Sequence, residues 1–173
     1  MAIRAILFSA VGTAGQRCPS LRRLIVHHSI RGELTRRLVK AYASLPIGDP
    51  REPGTLVGPL IDHAARDRMA AALIRAKAEG GVVHGGRAVA ERTPNGGAYV
   101  EPAIVEMQGQ TATAREETFA PILYTLGYET LEEAIAIHNG APSRRRRAGK
   151  AETDWRSPWC MRCGPPPDAS SRI

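Results

Sequence analysis

The chain has 173 residues, 43% of them hydrophobic, which is enough for one domain with a buried core. Its net charge of +7 first suggests a nucleic-acid-binding protein, but residues 143–173 hold eight basic and three acidic residues, and hence +5 of that charge. Because residues 1–142 carry only +2, we do not expect nucleic acid as a partner. Three cysteines do not make a secreted disulfide framework, and no apolar run is long enough to span a membrane. We therefore expect a cytoplasmic protein with no membrane partner.

The first part of the chain predicts a helix, a strand and a second helix. Residues 2–11 form a short apolar run that ends near Gly12, and a glycine-rich turn leads from there to Cys18. The β-branched centre of residues 21–30 predicts a strand. After that strand, five apolar residues fall on one face of an amphipathic helix: Leu34, Leu38, Ala41, Tyr42 and Leu45.

A loop rich in proline and glycine over residues 46–59 precedes the remaining predicted elements. A helix is expected over residues 62–79, with an apolar face of Met69, Ala72, Leu73 and Ala76. Three short strands are then expected over residues 82–84, 99–105 and 121–126. Thr130 and Glu133 have the spacing of a capping box, which predicts that a helix begins at Leu131. This order of elements is typical of an α/β fold.

The last 31 residues differ in character from the rest. Residues 143–173 show no apolar periodicity and are rich in arginine and proline, so we expect them to be disordered. Cys160 and Cys163 form a lone Cys-x-x-Cys pair, which would need two more ligands to bind zinc. His27 and His28 are expected on opposite faces of a strand and cannot chelate together. The sequence therefore predicts no metal site.

Cys18 is the strongest candidate for chemistry. It follows a turn of small residues, which lets a substrate approach, and the adjacent Arg17 is a cation of the kind that favours a thiolate over a thiol. On these grounds alone, the alternative of a buried structural cysteine stays open.

Four segments, in this order, resemble the aldehyde dehydrogenase family. The first is residues 8–18, which end in the Gly-Gln-x-Cys element around the nucleophile of that family. The second is residues 46–50 followed by 58–60, the third is residues 99–104, and the fourth is residues 116–121. The resemblance implies that residues 1–142 are part of the family's three-layer α/β/α catalytic domain, and that residues 143–173 are a separate tail.

Two details resemble the antiquitin type of aldehyde dehydrogenase. These are the run Val-Gly-Thr-Ala-Gly-Gln-Arg-Cys, and Ala120 where the family usually has glycine. Antiquitin-type enzymes oxidise α-aminoadipic semialdehyde, which is in equilibrium with piperideine-6-carboxylate, in lysine degradation. The resemblance implies that Arg17 helps to hold the charged amino-acid end of this substrate, as a guanidinium suits a carboxylate. The alternative is that Arg17 is a solvated cation at the edge of the core.

The resemblance also implies a mechanism and a cofactor, NAD or NADP. Cys18 would attack the aldehyde and form a thiohemiacetal, main-chain N–H groups near Cys18 would hold the oxyanion, and water would cleave the resulting thioester. Glu117 would bind the hydroxyls of the nicotinamide ribose, and Phe119 would pack beside the ring. The alternatives, without the resemblance, are that Glu117 is a surface carboxylate and that Phe119 is a core aromatic. The family is homo-oligomeric, with a tetramer expected.

The sequence also departs from the family pattern. The general-base glutamate, the side-chain oxyanion donor and the dinucleotide-binding domain are expected upstream of the Cys18 segment, and no glycine-rich phosphate loop occurs in these residues. The resemblance stops at Pro142, which suggests the hypothesis of an out-of-frame tail. We therefore expect the 173 residues alone to be inactive, not to assemble, and to expose Ile6, Leu7 and Phe8. The alternative is a non-enzymatic binding protein with a basic tail.

Overall fold

The computed structural model describes residues 2–89, 94 and 96–141, and the statements below refer to these residues. The expected disorder of residues 143–173, the boundary after Pro142 and the Cys160–Cys163 pair lie outside the described residues. They stay predictions.

Five α-helices, a 3-10 helix over Gly12–Gly15 and four strands make up the described fold. The helices are α1 (Ala2–Val11), α2 (His28–Ala43), α3 (His63–Ala78), the one-turn α4 (Ala112–Arg115) and α5 (Leu131–Asn139). The strands are β1 (Arg23–His27), β2 (Val82–Gly85), β3 (Ala103–Met107) and β4 (Ile122–Tyr128). The predicted order of elements is confirmed, with α4 as the one α-helix that the sequence did not predict and the 3-10 helix in the predicted glycine-rich turn.

The four strands form one sheet in the order β1-β4-β3-β2. β1, β4 and β3 are parallel, and β2 runs antiparallel to β3 along the edge. In β4, all five residues from Ile122 to Leu126 are buried. Because successive side chains of a strand point to opposite faces, this run shows that both faces of the sheet centre are covered. The fold is therefore α/β, as predicted.

Helix α3 matches its prediction closely. Its four predicted apolar residues, Met69, Ala72, Leu73 and Ala76, are all buried in the core. The Asp62 carboxylate accepts a hydrogen bond from the N–H of Ala65 and so caps the first turn. Gly80 follows the helix with a positive φ of 87°, a conformation in which glycine commonly ends helices.

The capping box before α5 is confirmed in a modified form. The Thr130 hydroxyl accepts a hydrogen bond from the N–H of Glu133 at 3.3 Å. The Glu133 carboxylate accepts in return from the N–H of Glu129, one residue before the cap, at 2.8 Å. Two N–H groups at the helix start are thereby satisfied.

The strand predicted over residues 21–30 was too long. β1 ends at His27, whose imidazole Nδ1 accepts a hydrogen bond from the N–H of Ser29 and caps α2. The chain therefore turns into α2 at His28, and the prediction that His27 and His28 lie on opposite faces of a strand was wrong. The apolar pattern favoured a longer strand because a histidine cap is uncommon.

The strand predicted over residues 99–105 was also displaced. Only Ala103–Met107 pair regularly, while Val100 makes a single bridge to Ala88. Pro102 stands between these two pairings and has no N–H to donate to a ladder. The short helix α4 follows, capped by the Thr111 side chain.

The expected exposure of α1 holds only for Phe8. The Phe8 side chain is 71% exposed, whereas Ile6 and Leu7 are half-buried and pack against the core. In the part of the chain that the structure describes, no helix is long and apolar enough to cross a membrane.

Burial in β4 makes a direct prediction about stability. Leu123 is fully buried in the central strand, so Leu123→Ala should lower the free energy of unfolding by about 2–5 kcal/mol. The matched control Leu131→Ala removes the same atoms from a side chain that is 66% exposed, and should change the free energy by less than about 0.5 kcal/mol. Urea unfolding followed by circular dichroism measures both. Equal effects would contradict the core described here.

Candidate active site

The turn that leads to Cys18 has a rare backbone conformation. Thr13, Ala14 and Gly15 have φ values of 54°, 49° and 67°, all in the left-handed region. For residues other than glycine this conformation costs about 1–2 kcal/mol each. Ala14 and Gly15 are buried, so the surrounding structure holds the turn in place. Strain of this kind clusters at functional sites and motivates a closer look at this turn.

Gly15 packs directly against the main chain that follows Phe119. A Cβ at Gly15 would lie 2.6 Å from the carbonyl carbon and oxygen of Ala120, and 2.7 Å from Cα of Pro121. No side chain fits at these distances, so glycine is required both by the space and by the positive φ. This contact joins the Cys18 turn to the segment of residues 116–121.

Gln16 joins the same turn to a second loop. Its Oε1 accepts a hydrogen bond from the N–H of Ile61 at 2.9 Å, and its Nε2 donates to the carbonyl of Pro59 at 3.4 Å. Nε2 also donates to the carbonyl of Thr13 within the turn, at 3.4 Å. One amide side chain thus holds the strained turn against residues 59–61.

All four segments that resembled the family are therefore connected in a ring. Gln16 links the first to the second, and the N–H of Leu60 donates to the carbonyl of Ala98, beside the third, at 2.9 Å. The N–H of Ala103 donates to the carbonyl of Pro121 in the fourth at 2.8 Å. Gly15 closes the ring against Ala120.

Arg17 extends back along α1. Its Nη2 donates to the carbonyl of Phe8 at 3.1 Å, and its guanidinium carbon lies 5.1 Å from the centre of the Phe8 ring. The helix dipole stabilises a cation at the carboxyl end of a helix, and a cation–π interaction stabilises it over an aromatic ring. Its Nε is buried without a hydrogen-bond partner among the described residues.

The Cys18 thiol is free and exposed. Near it, the N–H of Arg17 donates to the Ser20 hydroxyl, and the N–H of Ser20 donates to the carbonyl of Arg17. Pro19 has no N–H. The N–H of Cys18 itself is therefore the main-chain donor that stays available next to the sulfur in the described structure.

The sheet places the fourth segment, residues 116–121, beside the Cys18 turn. Arg23 of β1 pairs with Tyr124 of β4 in a parallel register. Cys18 and Phe119 each precede these paired residues by five positions. Both therefore lie beyond the amino-terminal ends of adjacent strands, as the contact of Gly15 with Ala120 also shows.

Glu117 and Phe119 also lie at the amino-terminal ends of these strands. Beside Glu117 lies Arg22, which the sequence did not predict as part of the site. Glu117 Oε1 lies 2.6 Å from Nη1 of Arg22, and both side chains are about one-third exposed. Phe119 is 36% exposed and has a positive φ of 57°, so the alternative of a core aromatic does not describe it. Arg22 follows Cys18 in a run of two arginines, but no spacing rule predicts its partner.

The amino-terminal ends of β1 and β4 thus carry an exposed thiol, one adjacent main-chain donor, a carboxylate and an aromatic ring. A thiol with an N–H donor suits nucleophilic attack on a carbonyl carbon. Among the described residues, no group of three His, Cys, Asp or Glu side chains could hold a metal ion.

Known proteins of one family match most of this chain. The sequence model of the aldehyde dehydrogenase family matches residues 1–145. Aldehyde dehydrogenase family 7 member A1 of Malus domestica is 44% identical over 142 residues, covering 82% of this chain and 27% of that protein. The α-aminoadipic semialdehyde dehydrogenase of Bos taurus is 43% identical over 141 residues, covering 80% of this chain and 25% of that protein. The chain thus spans about a quarter of the length of these relatives.

Solved structures give the same result. PnpE of Pseudomonas sp. WBC-3, in complex with nicotinamide adenine dinucleotide, matches 81% of this chain and 29% of its own with a TM-score of 0.77 and 33% identity. Betaine aldehyde dehydrogenase of Staphylococcus aureus, in complex with NAD+, matches with a TM-score of 0.77 and 27% identity, over 81% of this chain and 28% of its own.

The contact at Gly15 predicts a large effect of a single methyl group. Gly15→Ala combines a positive φ with a clash against the main chain, and should cost clearly more than the about 1–2 kcal/mol of backbone strain alone. Gly54→Ala is the matched control, because Gly54 also has a positive φ, of 88°, but a Cβ there meets nothing within 4 Å. Urea midpoints compare the two variants. Similar losses of stability in the two variants would contradict the close packing of Gly15.

Proposed function

Because this chain belongs to the aldehyde dehydrogenase family, we propose that Cys18 is the nucleophile in the NAD(P)-dependent oxidation of an aldehyde to a carboxylate. The observation that supports this most is the contact of Gly15 with Ala120, which brings the exposed Cys18 and the Glu117–Phe119 segment to one sheet edge. A lone surface cysteine would not need such a constrained turn.

At Cys18, the thiolate attacks the aldehyde carbon and forms a thiohemiacetal. The N–H of Cys18 can donate to the developing oxyanion, because the neighbouring N–H groups of Arg17 and Ser20 already have acceptors. The exposure of the sulfur leaves room for the substrate and, in the final step, for the water that cleaves the thioester.

Glu117 and Phe119 fit the nicotinamide end of NAD or NADP. The Glu117 carboxylate is partly exposed and can accept hydrogen bonds from ribose hydroxyls, and the exposed Phe119 ring can pack beside a planar group. When bound, the cofactor supplies the hydride acceptor for the oxidation. The Arg22 guanidinium holds the Glu117 carboxylate in position at 2.6 Å. These assignments rest on the family resemblance as well as on the placement.

We propose α-aminoadipic semialdehyde, an intermediate of lysine degradation, as the substrate of the whole enzyme. The support is the 43% identity with the bovine enzyme of that name, together with Arg17 beside Cys18. The guanidinium of Arg17 pairs with the substrate carboxylate through donors that its contact with Phe8 leaves available. The tetrameric assembly and the cytoplasmic location stay predictions.

The 173 residues on their own should not complete the reaction. They correspond to about a quarter of the relatives' length and offer no phosphate-binding loop, so only one end of the cofactor has protein to contact. We expect no NADH formation at 340 nm when the purified chain is mixed with NAD+ and α-aminoadipic semialdehyde. Turnover that disappears in Cys18→Ala would overturn this expectation.

The function itself is testable in a graft. Residues 1–142 replace the matching segment of the Malus domestica relative, and NAD+ reduction is measured with α-aminoadipic semialdehyde and with propanal. Cys18→Ala should abolish the activity toward both aldehydes, because both need the nucleophile.

Arg17→Met in the same graft should separate the two aldehydes. Loss of a charged hydrogen bond of about 1.5–3 kcal/mol corresponds to a decrease in kcat/KM of roughly 10- to 100-fold for the carboxylate-bearing substrate. Propanal has no carboxylate, so its kcat/KM should fall by much less, only by what the loss of the cation beside the thiolate costs. Arg36→Met, on the exposed face of α2, is the matched control. Equal losses for both aldehydes would refute the proposed role of Arg17.

A further inference from the structure

Gly12 follows α1 at the point where the Arg17 side chain folds back over the main chain. A Cβ built on Gly12 would overlap with Nη2 of Arg17, and it would lie 2.8 Å from Cζ and 3.5 Å from Nε of the same side chain. Not even a methyl group fits at Gly12 while Arg17 keeps this position. The guanidinium therefore occupies the space that a side chain at position 12 would take.

The backbone conformation at Gly12 does not itself require glycine. Gly15, three residues later, has a positive φ, whereas Gly12 does not. Residues with a Cβ can adopt the conformation of Gly12, so the overlap with Arg17 is what excludes a side chain there. Because the overlapping atoms lie at the end of a flexible side chain, an added methyl group would displace the guanidinium and leave the main chain in place.

The contacts of Arg17 with Phe8 hold the same guanidinium from a second side. Nη2 donates to the Phe8 carbonyl at 3.1 Å, and Cζ lies 5.1 Å from the centre of the Phe8 ring. Nε is buried, without a hydrogen-bond partner among the described residues. A long side chain held at its tip and buried at Nε has lost much of its rotamer freedom. The positive charge of Arg17 is therefore fixed relative to α1.

The main chain at Cys18 is fixed as well. The turn before it is held by the packing of Gly15 on Ala120 and by the hydrogen bonds of Gln16 to residues 59–61. A substrate whose aldehyde carbon bonds to the Cys18 sulfur, and whose carboxylate pairs with Arg17, must span the distance between these two fixed groups. Two groups held in place favour the one chain length that reaches both.

We propose that Gly12 determines the chain-length specificity of the reaction, an inference that rests on the proposed function. By leaving room for the Arg17 guanidinium, Gly12 restricts the substrates to aldehydes that carry a carboxylate at one distance from the carbonyl carbon. The six-carbon chain of α-aminoadipic semialdehyde sets that distance. Gly12 is a positioning residue, since it acts through Arg17. With a side chain at position 12, the displaced guanidinium would meet carboxylates at several distances and bind each of them less tightly.

NMR of the arginine side chains tests the position of Arg17 in the full 173-residue chain, without any need for activity. The Nε–H signal of Arg17, assigned by its absence in Arg17→Met, should exchange slowly with water because Nε is buried. Gly12→Ala should raise this exchange rate roughly tenfold or more, because the displaced Nε becomes accessible to water. Gly32→Ala, where a Cβ meets nothing within 4 Å, is the matched control and should leave the rate unchanged. Equal rates in Gly12→Ala and the unmodified chain would refute the proposed role of Gly12.

Kinetics of the graft of residues 1–142 test the chain-length specificity. Succinic, glutaric and adipic semialdehyde carry an aldehyde and a carboxylate on unbranched chains of increasing length, and the adipic compound has the six carbons of the proposed substrate. The unmodified graft should prefer adipic over succinic semialdehyde by roughly 10- to 100-fold in kcat/KM, as expected when a reacting group is misplaced by about 1 Å or more. Gly12→Ala should reduce this preference to about threefold or less, because the cation is no longer fixed, and should change kcat/KM for propanal by less than about twofold.

The double variant of Gly12→Ala and Arg17→Met separates this role from a general loss of structure. If Gly12 acts through Arg17, adding Gly12→Ala to Arg17→Met should leave kcat/KM for adipic semialdehyde unchanged. A further loss in the double variant, or an unchanged length preference in Gly12→Ala, would overturn the proposal. A graft that oxidises no aldehyde would reject the proposed function and the chain-length specificity with it, whereas the exchange rates would still decide whether Gly12 holds Arg17 in place.

Discussion

The parallel pairing of β1 with β4 is the constraint on which the candidate site depends. It fixes where the Cys18 turn and the 116–121 segment enter the sheet, because Arg23 and Tyr124 pair five residues after Cys18 and Phe119. The contact of Gly15 with Ala120 then sets the distance between the two segments. A side chain at position 15 would force the two segments apart, so no residue other than glycine fits at this position.

The strained turn is held by contacts on several sides. Gln16 binds residues 59–61, Gly15 packs on Ala120, and Arg17 extends back to Phe8. Each contact joins the turn to a different part of the fold. Two non-glycine residues can therefore keep positive φ values, since unwinding the turn would break several hydrogen bonds at once.

Much of the fold was predictable from local patterns, whereas the contacts of the site were not. The apolar periodicity and the capping residues of helix α3 are both visible in the sequence, and the spacing of Thr130 and Glu133 predicts the start of α5. The end of β1 was missed because a histidine caps the next helix. Cys18, Glu117 and Phe119 are proposed as site residues by resemblance and stay predictions, whereas the pairing of Arg22 with Glu117 depends on a sheet register that no local pattern specifies.

The separation of the paired strands along the chain has a consequence for how the protein folds. Residue 23 pairs with residue 124, so forming β1–β4 closes a loop of about 100 residues, and the entropic cost of closure rises with loop length. Contacts of such long range slow folding. Helices α2 and α3, whose backbone hydrogen bonds are local, can form before this loop closes. We therefore expect Cys18 and Glu117 to come together late, after most of the secondary structure exists, so that partly folded chains present the thiol without its surroundings.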